Sequence, residues 1–251
     1  MTETFGAGSV SGALLGSPAT TVDAVLIAAM EEEIAPLERR AEHLAHHRRV
    51  GVARSVIATI ADRRLLLVRS GIGGVSAATA AAIALHAVRT PLVVSVGSAG
   101  GLGPDVRIGD VVVGNDHAFA MADASAFGYA RGQIPGMPPS YPGAPALVER
   151  ARNRSGVLVG QMISGDAFID ARTVDFYRSA FPEALTADME TAAIAQVCHS
   201  FDVPYLAVRG VSDLCGLQAG EDFRLTVDDV AALAADVVLE LVDVPAALPT
   251  T

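Results

Sequence analysis

The sequence predicts a three-layer α/β/α domain built around a central mixed sheet. Three observations point there. Short apolar runs alternate with helical segments along most of the chain. Several runs, such as Val22 to Met30 and Pro91 to Gly97, are almost continuously apolar, as strands covered on both faces are. Polar or glycine-rich segments follow those runs, and in open α/β sheets such strand exits are where ligands sit.

Residues 1–20 are rich in Gly, Ser, Ala and Thr and read as a disordered leader. They carry no basic n-region, so no secretory signal is expected. A single catalytic domain is expected over 21–246, followed by a tail at 247–251. The first strand, Val22 to Met30, runs into Glu31, Glu32 and Glu33. Negative charge favours the first turn of a helix, so one of about a dozen residues is expected there. His43, His46 and His47 lie in a charged stretch that reads as a solvated face.

Two strands, Val52 to Ile60 and Leu65 to Arg69, flank Asp62–Arg63 and predict an antiparallel pair, which makes the sheet mixed. SGIGG at 70–74 precedes an Ala-rich helix ending near Val88. The strand Pro91 to Gly97 enters SAGGLG at 98–103, and Val111 to Gly114 forms a further short strand. Residues 128–145, rich in Gly and Pro, read as a long ordered loop. A short helix over Leu147 to Arg154 and a strand over Val157 to Ile163 lead to SGDAF at 164–168. The strand Ala184 to Ala187 leads into a helix from Met189 to Ser200, and Pro204 to Val211 ends in Ser212–Asp213. After a polar segment at 214–224, the last helix runs from Thr226 to Leu241. Thr226 is expected as its cap, with Asp229 in the capping-box position.

Composition excludes several function classes. The formal net charge of −10 leaves little material for the basic face that nucleic acid or anionic lipid requires. No apolar stretch is long enough to span a bilayer, so a cytoplasmic protein is expected. Cys198 and Cys215 make no metal-ligand pattern and read as core thiols. The loop GIGG matches neither GxGxxG nor a Walker loop, and HExxH is missing, so neither a dinucleotide nor a metal is expected. Ser98 and Ser164 lack the GxSxG frame of a serine nucleophile.

The acidic residues are more informative. Glu33, Glu190 and Asp213 each follow or flank a different apolar run. Each alone is an ordinary helix cap. Together, at separate exits of one sheet, they make a working group suited to glycosyl transfer. That chemistry needs a base for water, negative charge for a cationic sugar and an acid for the leaving group.

The segments IAAMEEEIAPL (27–37), RSGIGG (69–74), VGSAGGLGPDVRIGDVVV (96–113), AFGYARGQIPGMP (126–138), ISGDAFI (163–169), DMETAAIAQVCHSFDVP (188–204) and VRGVSD (208–213) resemble the methylthioadenosine/S-adenosylhomocysteine nucleosidases of the nucleoside phosphorylase superfamily. The resemblance runs in order from about Val22 to Glu240. It implies a nucleoside phosphorylase-like fold, a homodimer, and hydrolysis of 5'-substituted adenosines to adenine and a ribose derivative. By the same resemblance, Glu33 is the water-activating base, Glu190 binds the ribose hydroxyls beside Met189, and Asp213 protonates N7. Phe168 stacks on adenine, and the backbone of Ile169 meets its edge. Ser98 and Arg209 hold the water. Ala99, Gly100, Asp188 and Ser212 line the nucleoside pocket, and Phe127 and Pro135 reach into the partner subunit's pocket. The small-molecule nucleoside is then the only ligand expected, with no cofactor.

Phosphorolytic members of the superfamily carry an arginine in the first loop. Here MEEE stands there, which favours water over phosphate. Some positions depart from the nucleosidase pattern. Asp188 and Thr191 replace Glu and Ala of EMEA, and Ala120–Met121 replace a polar pair. LCGLQAGEDFRLT after Asp213 leaves either Phe223 or Val227 as the lid residue. Hydrolysis of aminofutalosine or 5'-deoxyadenosine, phosphorolysis, and a non-catalytic nucleoside-binding role are the alternatives.

Overall fold

The computed structural model describes residues 20–242. The leader and tail expected at 1–20 and 247–251 lie outside these residues, except Thr20, which begins a strand. In chain order the elements are β1 (Thr20–Thr21), β2 (Ala24–Ala28), α1 (Glu31–Arg39), β3 (His43–Val50), β4 (Ala53–Ile60), β5 (Arg63–Arg69) and α2 (Gly74–Ala87). Then follow β6 (Val88–Arg89), β7 (Val93–Gly101), β8 (Val111–Phe119), β9 (Tyr141–Pro142), α3 (Pro145–Arg152), β10 (Val157–Ser164), α4 (Val174–Ala180), β11 (Ala184–Asp188), α5 (Thr191–Ser200), β12 (Tyr205–Asp213) and α6 (Ala219–Leu241).

The main sheet runs β11-β10-β8-β12-β7-β2-β5-β4-β3, with β9 beside β8, and it is mixed as expected. β2, β5, β7 and β12 are parallel neighbours, whereas β3, β4 and β5 pair antiparallel. Strand β11 also pairs antiparallel with the end of β7, so β11, β10, β8, β12 and β7 close into a ring. That closure brings the carboxyl ends of β7, β11 and β12 together.

The strands feed two apolar layers by their period of two. Ala24, Leu26 and Ala28 of β2 join a core with Ile34 and Leu37 of α1 and Ala234 and Val238 of α6. Val25 and Ile27 face the opposite core, with Ala77 and Ala81 of α2 and Ile194 of α5. A third, smaller cluster packs Val174 and Tyr177 of α4 under Ile163 and Ala187. Among the described residues no helix is long and apolar enough to cross a membrane.

Several expectations need correction. The stretch HLAHHRRV is the edge strand β3, which was not expected, although its histidines are solvated as expected. Charged residues and a register shift between Ala45 and Arg48 are usual protection for such an edge. Strands β7 and β8 run well past Gly97 and Gly114, because each keeps pairing: Gly100 and Gly101 ladder with Ala187 and Thr186, and Asp116 to Phe119 ladder with Gln161 to Ser164. Helix α4 was not expected. Helix α6 begins at Ala219, seven residues before Thr226. Thr226 is therefore interior and no cap; its hydroxyl donates to the carbonyls of Ser212 (2.7 Å) and Asp222 (2.9 Å).

Candidate active site

Glu33 sits at the third position of α1, where backbone N–H groups of the helix start lack helical partners. Its Oε2 accepts the N–H groups of Ala29 (3.0 Å) and Met30 (3.1 Å). Its Oε1 accepts both the N–H and the hydroxyl of Ser98, each at 2.8 Å. The carboxylate thus spans from α1 to β7. It lies so close to β7 that a Cβ on Gly97 would stand 2.5 Å from Oε1, so this strand position requires glycine.

Glu190 precedes the first turn of α5 and is buried. Its Oε1 accepts the N–H of Gly73 at 2.8 Å. Gly73 presents that N–H from a φ of +96°, a conformation open to glycine and strained for other residues. Burial, and then the charge of Asp188, pushes the Glu190 carboxyl up to about 7.

Asp188 itself is fully engaged. Its Oδ1 accepts the N–H groups of Glu190 (2.9 Å) and Thr191 (2.8 Å), which caps α5. Its Oδ2 accepts Arg209 Nε (3.1 Å) and the Thr191 hydroxyl. Burial alone would raise its pKa, but Arg209 and these donors outweigh it and hold the carboxyl below its usual range. Arg209 is buried and also donates to Ser95 Oγ (2.8 Å) and Thr191 Oγ1 (3.0 Å). Burial opposes its charge, yet Asp188, Glu33 and Glu190 together keep its pKa above the ordinary arginine value.

Asp213 ends β12, paired in register with Gly100. Its Oδ1 accepts the Cys215 N–H (2.9 Å), and its Oδ2 accepts the Ser212 hydroxyl (3.1 Å). Burial raises its pKa against the opposing effect of these donors.

These residues share one cleft of about 460 Å³. Glu33, Ser98, Ala99, Gly100, Phe168, Ile169, Asp188, Met189, Glu190, Ser212 and Asp213, all singled out in the sequence, line it. Three of the singled-out residues do not line it. Arg209 lies behind it, locked to Asp188, while Phe127 and Pro135 are exposed and outside the cleft of their own chain. Of the two lid alternatives, Phe223 lines the cleft and meets Phe168 edge-on at 6.4 Å, whereas Val227 is buried elsewhere. Sequence reasoning missed Met30, Ile72 and Cys215 as lining residues and Gly73, Ser95 and Thr191 as supports. Only Thr191 left a signal, as the polar partner three residues after Asp188. Among the described residues no cluster of three His, Cys, Asp or Glu side chains is placed to hold a metal ion.

Fold and site define an α/β protein with buried carboxylates gathered in one cleft at the ends of its sheet strands. A family model described as the Phosphorylase superfamily matches residues 23–243. The 5'-methylthioadenosine/S-adenosylhomocysteine nucleosidase of Geobacillus kaustophilus is 38% identical over 235 residues, covering 88% of this chain and 97% of that protein. The nucleosidase of that name from Neisseria meningitidis, solved with methylthio-immucillin-A, is 36% identical with a TM-score of 0.83, over 88% of this chain and 98% of that one. That of Colwellia psychrerythraea, solved with adenine, is 29% identical with a TM-score of 0.84, over 89% and 96%. The chain belongs to the 5'-methylthioadenosine/S-adenosylhomocysteine nucleosidase family of the phosphorylase superfamily.

Proposed function

We propose that the protein hydrolyses the N-glycosidic bond of 5'-substituted adenosines, with Glu33, Glu190 and Asp213 dividing the work. The observation that carries the division is their unequal environments on one cleft. Burial pushes Asp213 and Glu190 upward, while four donors converge on Glu33.

In this reading the C1'–N9 bond breaks with its electron pair leaving on adenine, and N7 takes a proton from Asp213. Burial that raises the Asp213 pKa favours the protonated form this step needs. Water bonds to C1' and gives a proton to Glu33; exchange with solvent resets both acids. A carboxylate offers about four lone-pair sites, and the four donors on Glu33 fill them. The Ser98 hydroxyl is the one donor free to rotate, so it is the one that yields its place to the water. Glu190, held by Gly73, binds the ribose hydroxyls and offsets the positive charge that develops on the sugar. Phe168 stacks on the base, the backbone of Ile169 meets its edge, and Ser212 orients Asp213. Arg209 acts from behind, through Asp188, Thr191 and Ser95.

Water is favoured over phosphate because the first loop is acidic and its nearby cations are engaged. Glu31 binds Arg54 (3.1 Å) and Arg69 (2.8 Å). The test is incubation with a panel of 5'-substituted adenosines without phosphate, including methylthioadenosine, S-adenosylhomocysteine, 5'-deoxyadenosine and aminofutalosine. Adenine and the free ribose derivative are expected. Release of ribose 1-phosphate, only when phosphate is supplied, would make the protein a phosphorylase; release of nothing would make it a binding protein.

The protein is further read as a homodimer in which Phe127 and Pro135 complete the neighbouring cleft. Apolar side chains exposed on this chain support it: Val75 is 79% exposed, Phe127 82% and Phe176 56%. Sedimentation of a fully active monomer would overturn that reading.

A further inference from the structure

The cleft is walled by acids at its floor, and among the described residues lining it Arg224 is the one cation. Arg224 lies on α6 directly after Phe223 and is exposed, so its charge stands at the mouth. Its Nε donates to the Gly220 carbonyl at 2.9 Å, one turn back along the helix, and Gly220 lines the cleft too. No carboxylate of the described residues pairs with this guanidinium within 4.0 Å, although Glu221 and Asp222 precede it on the same helix.

We propose that the mouth of the cleft selects 5' substituents that carry a carboxylate, with Arg224 as the counter-charge. The inference rests on the nucleosidase reading above, which fixes the substrate's direction. Asp213 takes the base, and Glu33 and Glu190 take the ribose, all three buried. What is left to reach the opening is the group on C5'. Its path is apolar at first: Met30 adjoins the helix start that holds Glu33, and Ile72, 54% exposed, adjoins the glycine that holds Glu190. A thioether or short alkyl chain suits that stretch, and a charged end then emerges beside Arg224. The other charged residues that line the cleft are all acids, in a protein of net charge −10.

The test crosses the charge of the substrate with the charge at position 224. Four adenosines are compared by kcat/KM for adenine release: methylthio (neutral), S-adenosylhomocysteine (carboxylate and ammonium), 5'-(2-carboxyethylthio) (anion) and 5'-(3-aminopropylthio) (cation). Each value is read as a ratio to that for methylthioadenosine, so a general loss cancels. The parent is expected to favour the anion over the cation, less so as salt rises. Arg224→Gln should lower the anion's ratio about three- to fivefold, the scale of an exposed ion pair. Arg224→Lys should keep most of the preference, and Arg224→Glu should reverse it. Ratios that do not change across Gln, Lys and Glu overturn the inference while leaving the nucleosidase reading in place. A parent that releases adenine from none of the four overturns the inference, and one that also releases none from 5'-deoxyadenosine or aminofutalosine overturns the nucleosidase reading as well.

Discussion

Replacing Gly97 by alanine tests the placement of Glu33 without touching a reactive group. The added Cβ would stand 2.5 Å from Oε1, 2.7 Å from Cδ and 3.0 Å from Oε2 of Glu33. To reach ordinary contact the carboxylate must retreat by roughly 0.9 Å, and misplacement by about 1 Å can cost on the order of 10²-fold in rate. The retreat is resisted, because the same oxygens hold four hydrogen bonds from Ala29, Met30 and Ser98. Losing one or two of them should lower stability by about 1–3 kcal/mol, since buried donors are left without acceptors. Gly97 has no positive φ, so alanine adds no backbone strain and the strand should persist. The assay is adenine release from methylthioadenosine at saturating substrate, with thermal unfolding as control. A folded Gly97→Ala protein with kcat within about threefold of the parent would refute the assignment of Glu33 as the base that activates water.

Four further outcomes are expected. Asp213→Asn should fold and bind nucleoside yet lose on the order of 10²–10⁴ in kcat, the scale of general acid catalysis; near-normal turnover would reduce Asp213 to a cap for the Cys215 turn. The kcat/KM profile should rise through a pH near 7 as Glu190 ionises, which a pH series of adenine release would show. Stability should run the other way. The folded state holds the Glu190 proton up to about 7 and the unfolded chain only to 4.5, so stability should decline as pH rises across that window, which denaturant titrations at pH 5 and pH 7.5 would detect. Turnover should survive EDTA; a loss restored by zinc or magnesium would contradict a carboxylate-only site.

Much of this architecture was legible in the sequence because apolar runs covered on both faces leave a strong local signal. β2, β5, β10 and β12 stand close to where their residues predicted. What escaped was set by tertiary context. HLAHHRRV has no apolar alternation, and only pairing to β4 makes it a strand. Gly100 and Gly101 look like a turn, but ring closure gives their backbones partners on β11. Thr226 has the composition of a cap, yet α6 had already begun under Phe223, where its residues cover the cleft. At the site, the acids announced themselves by following or flanking separate apolar runs. Ser95 and Gly73 did not, because their roles exist only once segments distant in sequence lie side by side.

Glu33 has one more consequence. The oxygens assigned to water activation also complete the start of α1 and fasten that helix to β7. Reactive groups are often liabilities to the fold, so that removing them makes a protein more robust at the expense of activity. Here that opposition should be missing. A drifting lineage could not trade this acid for a sturdier helix start, since its loss would loosen the scaffold and silence the chemistry in one step. Selection for a lasting fold would therefore preserve the base even in a descendant whose substrate had disappeared, and its retention in such a protein would be no sign of surviving catalysis.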